Sequence, residues 1–271
     1  MSSSRGVPGD LAHDRAGPRG DATILLLHAG IADRSMWDPQ WGPLTAHRDV
    51  VRLDFRGFGE STARPDPAFT TADDVAALLD RLGTGPCHVV GASFGAGVAT
   101  ELALERPDLV RSLLLCPPGG SLFVERTETL SRFAAAENGA LARGDLDAAV
   151  EANVATWVVG PGRRAADVDP GVQEAVRRMQ RRVFELQEPW GEDVDGREVV
   201  PPAVERLGDL TCPVQVLVGA HDVDAALTAA DLVCAAVAGA VRQDWPDVAH
   251  LPSMEQPVRF LDLLEDWTSK P

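Results

Sequence analysis

Tyrosine is absent from the 271 residues, and lysine occurs once, at Lys270. No mechanism requires either bias, and both are read as coding preference. Positive charge is scarce overall: 25 basic residues face 41 acidic ones, a net charge of -16, which argues against nucleic acid or an anionic membrane as a partner. No stretch approaches the run of about 18 apolar residues that a membrane-spanning helix needs. The first twenty residues are polar and glycine-rich, without the apolar centre of a secretory leader, so a soluble, cytoplasmic protein is expected. Cysteine is limited to Cys87, Cys116, Cys212 and Cys234. They lie in or beside apolar segments with no C-x-x-C spacing, so buried reduced thiols are expected rather than a disulfide framework or a zinc site, and no metal is implied.

What is present is ample apolar content, 45%, enough for one α/β core in a chain of this length. Short Val/Leu-rich runs predict strands at about Ala22 to His28, Val50 to Phe55, Cys87 to Ala92, Val110 to Cys116, Pro213 to Gly219 and Val241 to Trp245. They lack polar alternation, which suits a parallel sheet covered on both faces. Helices are predicted between them, at Ala72 to Leu82, Phe94 to Glu105, Ala225 to Val237 and Pro257 to Trp267. Thr71 before Asp73-Asp74 is a start signal for the first of these, and Pro107 stops the second.

One motif dominates the chemistry. Gly91-Ala92-Ser93-Phe94-Gly95 stands between a predicted strand and a predicted helix, the setting of a nucleophile elbow. A serine raised on so sharp a turn leaves no room for flanking Cβ atoms, which explains the glycines. Upstream, a buried strand runs into His28-Ala29-Gly30-Ile31. Downstream come Gly219-Ala220-His221-Asp222, directly past a strand, and then Ala249-His250-Leu251-Pro252. Ser, Asp, His is the chain order of one known triad arrangement.

On these residues, together with Asp54-Phe55-Arg56-Gly57-Phe58-Gly59-Glu60-Ser61 and the stretch His250 to Pro257, the chain resembles the α/β-hydrolase superfamily. The likeness is closest to its small esterases and lactonases, including enol-lactonase-like members. It runs from about Leu11 to about Trp267. Ala29 replaces the usual second glycine of the His-Gly turn, Ala249 replaces the glycine usual before the histidine, and the N-terminus is too short and polar for two full leading strands. The resemblance implies an α/β-hydrolase fold, a mostly parallel sheet flanked by helices, with a helical cap inserted. Residues 1–120 and 206–271 would form the core and 121–205 the cap. It implies Ser93 as nucleophile, His250 as base and Asp222 as the acid orienting it. The oxyanion donors would be the backbone N–H of Phe94 and that of Gly30, with Ile31 as the alternative. No cofactor enters this chemistry.

Each triad position has rivals. Asp224, Asp244 and Asp247 are nearby carboxylates, but only Asp222 follows a strand end directly. Among six histidines, His221 is the serious competitor, yet as neighbour of Asp222 it cannot readily turn its ring onto that carboxylate. His28 is read as shaping the oxyanion loop, His13, His47 and His88 as surface or core residues, and Asp54 and Arg56 as structural braces. Between Cys116 and Thr211 the strand-helix alternation lapses. Asp145 caps one helical stretch bearing Leu146, Val150, Val154, Trp157 and Val158, and Asp169-Pro170 opens another. A cap there would roof the sheet's carboxyl edge, where such sheets bind ligands. Phe123, Phe133 and Trp157, with Phe184 and Trp190, are candidates to line the pocket, although packing of the cap helices onto the core is the simpler account of any one of them. Arg177, Arg178, Arg181 and Arg182 read as a solvated helix face. The expected substrate is a small ester or lactone. The same residues would serve a carbon-carbon bond hydrolase, a perhydrolase, or a ligand-binding receptor with vestigial activity. Nothing in the sequence speaks to oligomeric state.

Overall fold

Successive residues of each central strand enter two different cores. In β2 (Ile24–Leu27), Leu25 and Leu27 join one buried cluster and Ile24 and Leu26 the other. β5 (Val110–Pro118) divides in the same way, Leu113 and Leu115 against Leu114 and Cys116. Both faces are covered, so both must be apolar, which is the physical origin of the unalternating runs.

The structure is a computed structural model and describes residues 7–191 and 197–269. Among the described residues, seven strands form one sheet in the order β1-β3-β2-β4-β5-β6-β7. Besides β2 and β5 these are β1 (His13–Ala16), β3 (Val50–Leu53), β4 (Cys87–Ser93), β6 (Val214–Gly219) and β7 (Val241–Trp245). All neighbours pair in parallel except β1, which runs antiparallel along β3. The crossovers carry α1 (Asp38–Thr45), α2 (Thr71–Leu82), α3 (Phe94–Glu105) and α7 (Asp224–Ala236), and the chain ends in α8 (Pro252–Glu255) and α9 (Pro257–Thr268). This is the α/β-hydrolase arrangement the resemblance implies, and among the described residues one strand, β1, precedes β2.

Between β5 and β6 lie α4 (Glu128–Leu141), α5 (Leu146–Asn153) and α6 (Pro170–Gln187). Asp145 caps α5 by accepting the Ala148 N–H, and Asp169 caps α6 by accepting those of Gly171 and Val172. α5 passes directly into a π-helical turn, Val154–Val159. One start signal shifts by a residue. The cap of α2 is Thr70, not Thr71, because Asp73 is three residues beyond Thr70 and the two side chains satisfy each other's backbone N–H.

Buried polar groups set a pH response. His88 is buried, its Nδ1 paired with Ser112 Oγ at 2.7 Å. Burial, with the nearby charges of Arg111 and Arg48, pushes its pKa down to about 4. Above about pH 6.5 the ring is neutral in both folded and unfolded chains. Between there and about 4 the unfolded chain binds a proton that the native state refuses, so stability falls as pH falls, by up to about 1.4 kcal/mol per pH unit. Urea melts at about pH 7 and about pH 5 should show a shallower decline for His88→Gln than for wild type. Equal declines would refute this role.

Candidate active site

Ser93 ends β4 and precedes α3 with φ 53° and ψ -112°. Among the described residues it is the one non-glycine with positive φ. Such backbone costs on the order of 1–3 kcal/mol and persists only where the surroundings over-determine it. The surroundings are visible in the flanking glycines. A methyl group at Gly91 would lie 2.4 Å from the Gly95 carbonyl oxygen, and one at Gly95 would lie 2.5 Å from that of Leu27. The sequence argument from crowding therefore describes real contacts.

Asp222 closes the turn after β6, its N–H bonded to the Gly219 carbonyl. Its carboxylate accepts the Val223 N–H at 2.7 Å and meets His250 Nδ1 at 2.7 and 2.9 Å through its two oxygens. Both side chains are buried. An ionised carboxylate can only accept, so Nδ1 carries the proton and Nε2 presents a lone pair. Nε2 is buried with no hydrogen-bond partner, the hydroxyl of Ser93 included. The rival residues are occupied elsewhere or carry no such contact. Asp224 accepts from Thr127 and Thr129, Asp244 pairs with Arg242, and Asp247 accepts from Gln256. His221 engages the neighbouring loop through its backbone N–H, bonded to the Val248 carbonyl.

His28 has both ring nitrogens in use: Nδ1 donates to the Ala29 carbonyl at 2.8 Å, and Nε2 accepts the Phe55 N–H at 3.1 Å. Burial pushes its pKa down, so it stays neutral and ties the turn after β2 to the loop after β3. Gly30 approaches Phe94, a methyl placed on it lying 3.4 Å from the Phe94 Cβ. Phe94 opens α3, where backbone N–H groups have no intrahelical acceptor. Among the described residues, the turn and loop hydrogen bonds use the N–H of none of Gly30, Ile31 and Phe94. Asp54 accepts the N–H groups of Arg34 and Glu60 and pairs with the Arg34 guanidinium, a bracing role.

Three aromatic candidates form one cluster beside His250. The Trp157 ring lies 4.5 Å from that of His250, centroid to centroid, and is flanked by Phe133 at 5.3 Å and Phe123 at 6.4 Å. The Trp157 carbonyl also accepts the His250 N–H at 3.3 Å. Phe184 packs against the same buried cluster, while Trp190 lies over Gly57. Arg177 pairs with Glu151 and Arg181 with Asp147, as a solvated face would. A cleft of about 560 Å³ between α6 and the segments 33–39 and 254–257 has Met36, Met179 and Met254 in its lining but neither Ser93 nor His250.

The cysteines are free, and burial pushes the Cys87 thiol up to about 11. No helix among the described residues is long and apolar enough to cross a membrane.

The chain is similar to several known proteins. A lipase, LipV, of Mycobacterium tuberculosis is 34% identical over 170 residues, 61% of this chain and 60% of the lipase. A putative carbamate hydrolase, RutD, of Caulobacter vibrioides is 35% identical over 103 residues, which span 36% of this chain and 38% of that protein. Less than two thirds of either curated relative is thus matched. Among solved structures, the enol-lactonase of Burkholderia xenovorans LB400 superposes with a TM-score of 0.76 at 22% identity, covering 96% of both chains. A thermophilic esterase from Thermogutta terrifontis gives 0.74 at 26% identity, covering 95% of this chain and 92% of that one. The sequence pattern of one family matches continuously over residues 24–263, from the first residue of β2 into α9. With most of its length accounted for in this way, the chain belongs to the alpha/beta hydrolase family.

Proposed function

We propose that this protein hydrolyses a small carboxylic ester or lactone by acyl transfer through Ser93, with His250 as general base and Asp222 holding the imidazole. The observation that carries this reading is the buried His250 ring, proton fixed on Nδ1 by Asp222 and lone pair unengaged on Nε2. Attack begins when Nε2 accepts the Ser93 proton as Oγ bonds to the substrate carbonyl carbon. The charge on the carbonyl oxygen then meets backbone N–H groups, one from Phe94 and one from Gly30 or Ile31, each worth about 3–4 kcal/mol of barrier. His250 returns its proton to the departing alkoxide, and a water activated by the same nitrogen cleaves the acyl-enzyme. The first step requires the Ser93 hydroxyl to come within about 3 Å of His250 Nε2.

Residues 121–205 are assigned as the cap over the core of 1–120 and 206–271, and Phe123, Phe133 and Trp157 as the apolar wall beside the base. The esterase, lactonase and lipase names among the relatives support carbonyl substrates of this class. A fluorophosphonate probe followed by mass mapping of the labelled peptide tests the assignment. Label on Ser93, abolished in His250→Ala, is expected. An unlabelled Ser93 in protein that binds an ester or lactone tightly without turnover would instead support a receptor.

A further inference from the structure

Arg163 follows the π-turn of the cap segment, and its side chain is buried together with that of Glu255. Its guanidinium spends nearly all its donors. Nε donates to the Val159 carbonyl at 2.7 Å and one terminal nitrogen to the Val158 carbonyl at 2.7 Å. The other reaches the Asp247 carbonyl at 3.1 Å and Glu255 Oε2 at 2.6 Å. The second oxygen of Glu255 accepts the Ala249 N–H at 2.7 Å. Val158 and Val159 finish the turn that bears Trp157, and helical ends leave such carbonyls without internal partners. Asp247 and Ala249 lead into His250. A planar fork of fixed donors can join three carbonyls and a carboxylate at once, which a lysine ammonium does far less rigidly.

We infer that the Arg163–Glu255 pair is a positioning device for His250. It locks the Trp157 turn and the histidine loop into one register, so that the Trp157 ring packs against the imidazole and the Trp157 carbonyl holds the His250 backbone N–H while Asp222 grips Nδ1. The inference rests on the reading of His250 as general base. Neither residue contacts the reacting atoms. Their effect passes through the loop on one side and through Trp157 on the other. Steric evidence points the same way: a methyl at Gly160, the residue that ends the turn, would lie 2.2 Å from the His221 carbonyl oxygen and 2.9 Å from the Ala249 Cβ. The turn is therefore seated directly against both the acid and the base loops.

The test is stopped-flow acylation by p-nitrophenyl acetate in wild type, Arg163→Ala, Arg163→Lys and Glu255→Gln, well below the melting temperature of each. Misplacement of a catalytic group by about 1 Å costs on the order of 10²-fold in rate. Arg163→Ala should therefore lose roughly that much in the acylation rate constant, with KM changed far less, and added guanidinium ion should restore part of it. Arg163→Lys and Glu255→Gln should fall between. A folded Arg163→Ala that acylates at the wild-type rate overturns the inference, as does a loss that resides in KM and resists guanidinium. If Arg163→Ala does not fold, Arg163→Lys decides: a wild-type rate there overturns the inference, and a reduced rate at unchanged KM supports it. Ser93→Ala and His250→Ala run in the same assay. Retained bursts in those controls would refute the Ser-His chemistry itself, whereas lost bursts beside unaffected Arg163 variants would refute only the positioning role.

Discussion

His250→Ala is expected to lower kcat for a short-chain p-nitrophenyl ester by roughly 10⁶-fold, and Asp222→Asn by about 10⁴-fold, with both variants still folded. The first loss follows because no other described base stands ready: His28 has both nitrogens committed, and His221 lacks the carboxylate contact. The second is a matter of tautomer. The Asp222 carboxylate accepts at once from Val223 N–H and from His250 Nδ1. An asparagine in its place has one acceptor and one donor end. With its oxygen kept on Val223 N–H, its NH₂ faces Nδ1, which must then give up its proton and accept. The proton moves to Nε2, and the lone pair that should receive the Ser93 proton is gone. Steady-state kinetics on both variants, with far-ultraviolet circular dichroism to confirm the fold, checks this. A fall of less than about tenfold in either would contradict the assigned roles.

The elements legible in the sequence were those whose cause is local. The elbow could be read because crowding at Gly91 and Gly95 is a property of a five-residue turn. The parallel strands could be read because burial on both faces demands unbroken apolar runs. The helices opened by Asp145 and by Asp169-Pro170 announced themselves through their caps. What escaped was set by partners distant in the chain. β1 has the sequence His-Asp-Arg-Ala, half-buried throughout and with no apolar pattern. It is a strand because β3 offers a free edge and because Asp14 pairs with Arg34 and Arg52 and Arg15 with Asp49. The sequence pattern likewise does not single out α1 or α4. The contact of Arg163 with Glu255 spans 92 residues and has no local signature, and neither does the π-turn that lays Trp157 on His250. Ala29, in place of the family's glycine, is fully buried, and its backbone is outside the left-handed region that would demand glycine.

Arg56→Met is expected to destabilise the protein by about 3–5 kcal/mol, a fall in Tm of roughly 6–10 °C for a chain of this size, while the residual folded enzyme keeps a near-normal kcat. Arg56 and Asp74 form a buried ion pair, with side chains 5% and 4% exposed and contacts of 2.6 and 3.0 Å. The remaining polar capacity is also used. Arg56 donates to the Val7 carbonyl at 2.7 Å, and Asp74 accepts the Gly9 N–H at 2.7 Å. The guanidinium also lies over the Phe69 ring, 5.1 Å from its centroid. The pair therefore fastens the N-terminal segment and the loop after β3 onto α2, and none of these contacts reaches Ser93 or His250. Removing the arginine leaves the Asp74 carboxylate buried without its counter-charge, and that stranded charge, more than the lost attraction, is what destabilises. The asymmetry supplies the check. Arg56→Met/Asp74→Leu removes both charges and should recover most of the stability lost by Arg56→Met alone, leaving mainly the unmet backbone groups of Val7 and Gly9 to account for the remainder. Thermal melts of wild type, both single variants and the double variant form the cycle. Additive losses in the double variant would show that the two side chains act independently, and the account of a coupled buried pair would fail.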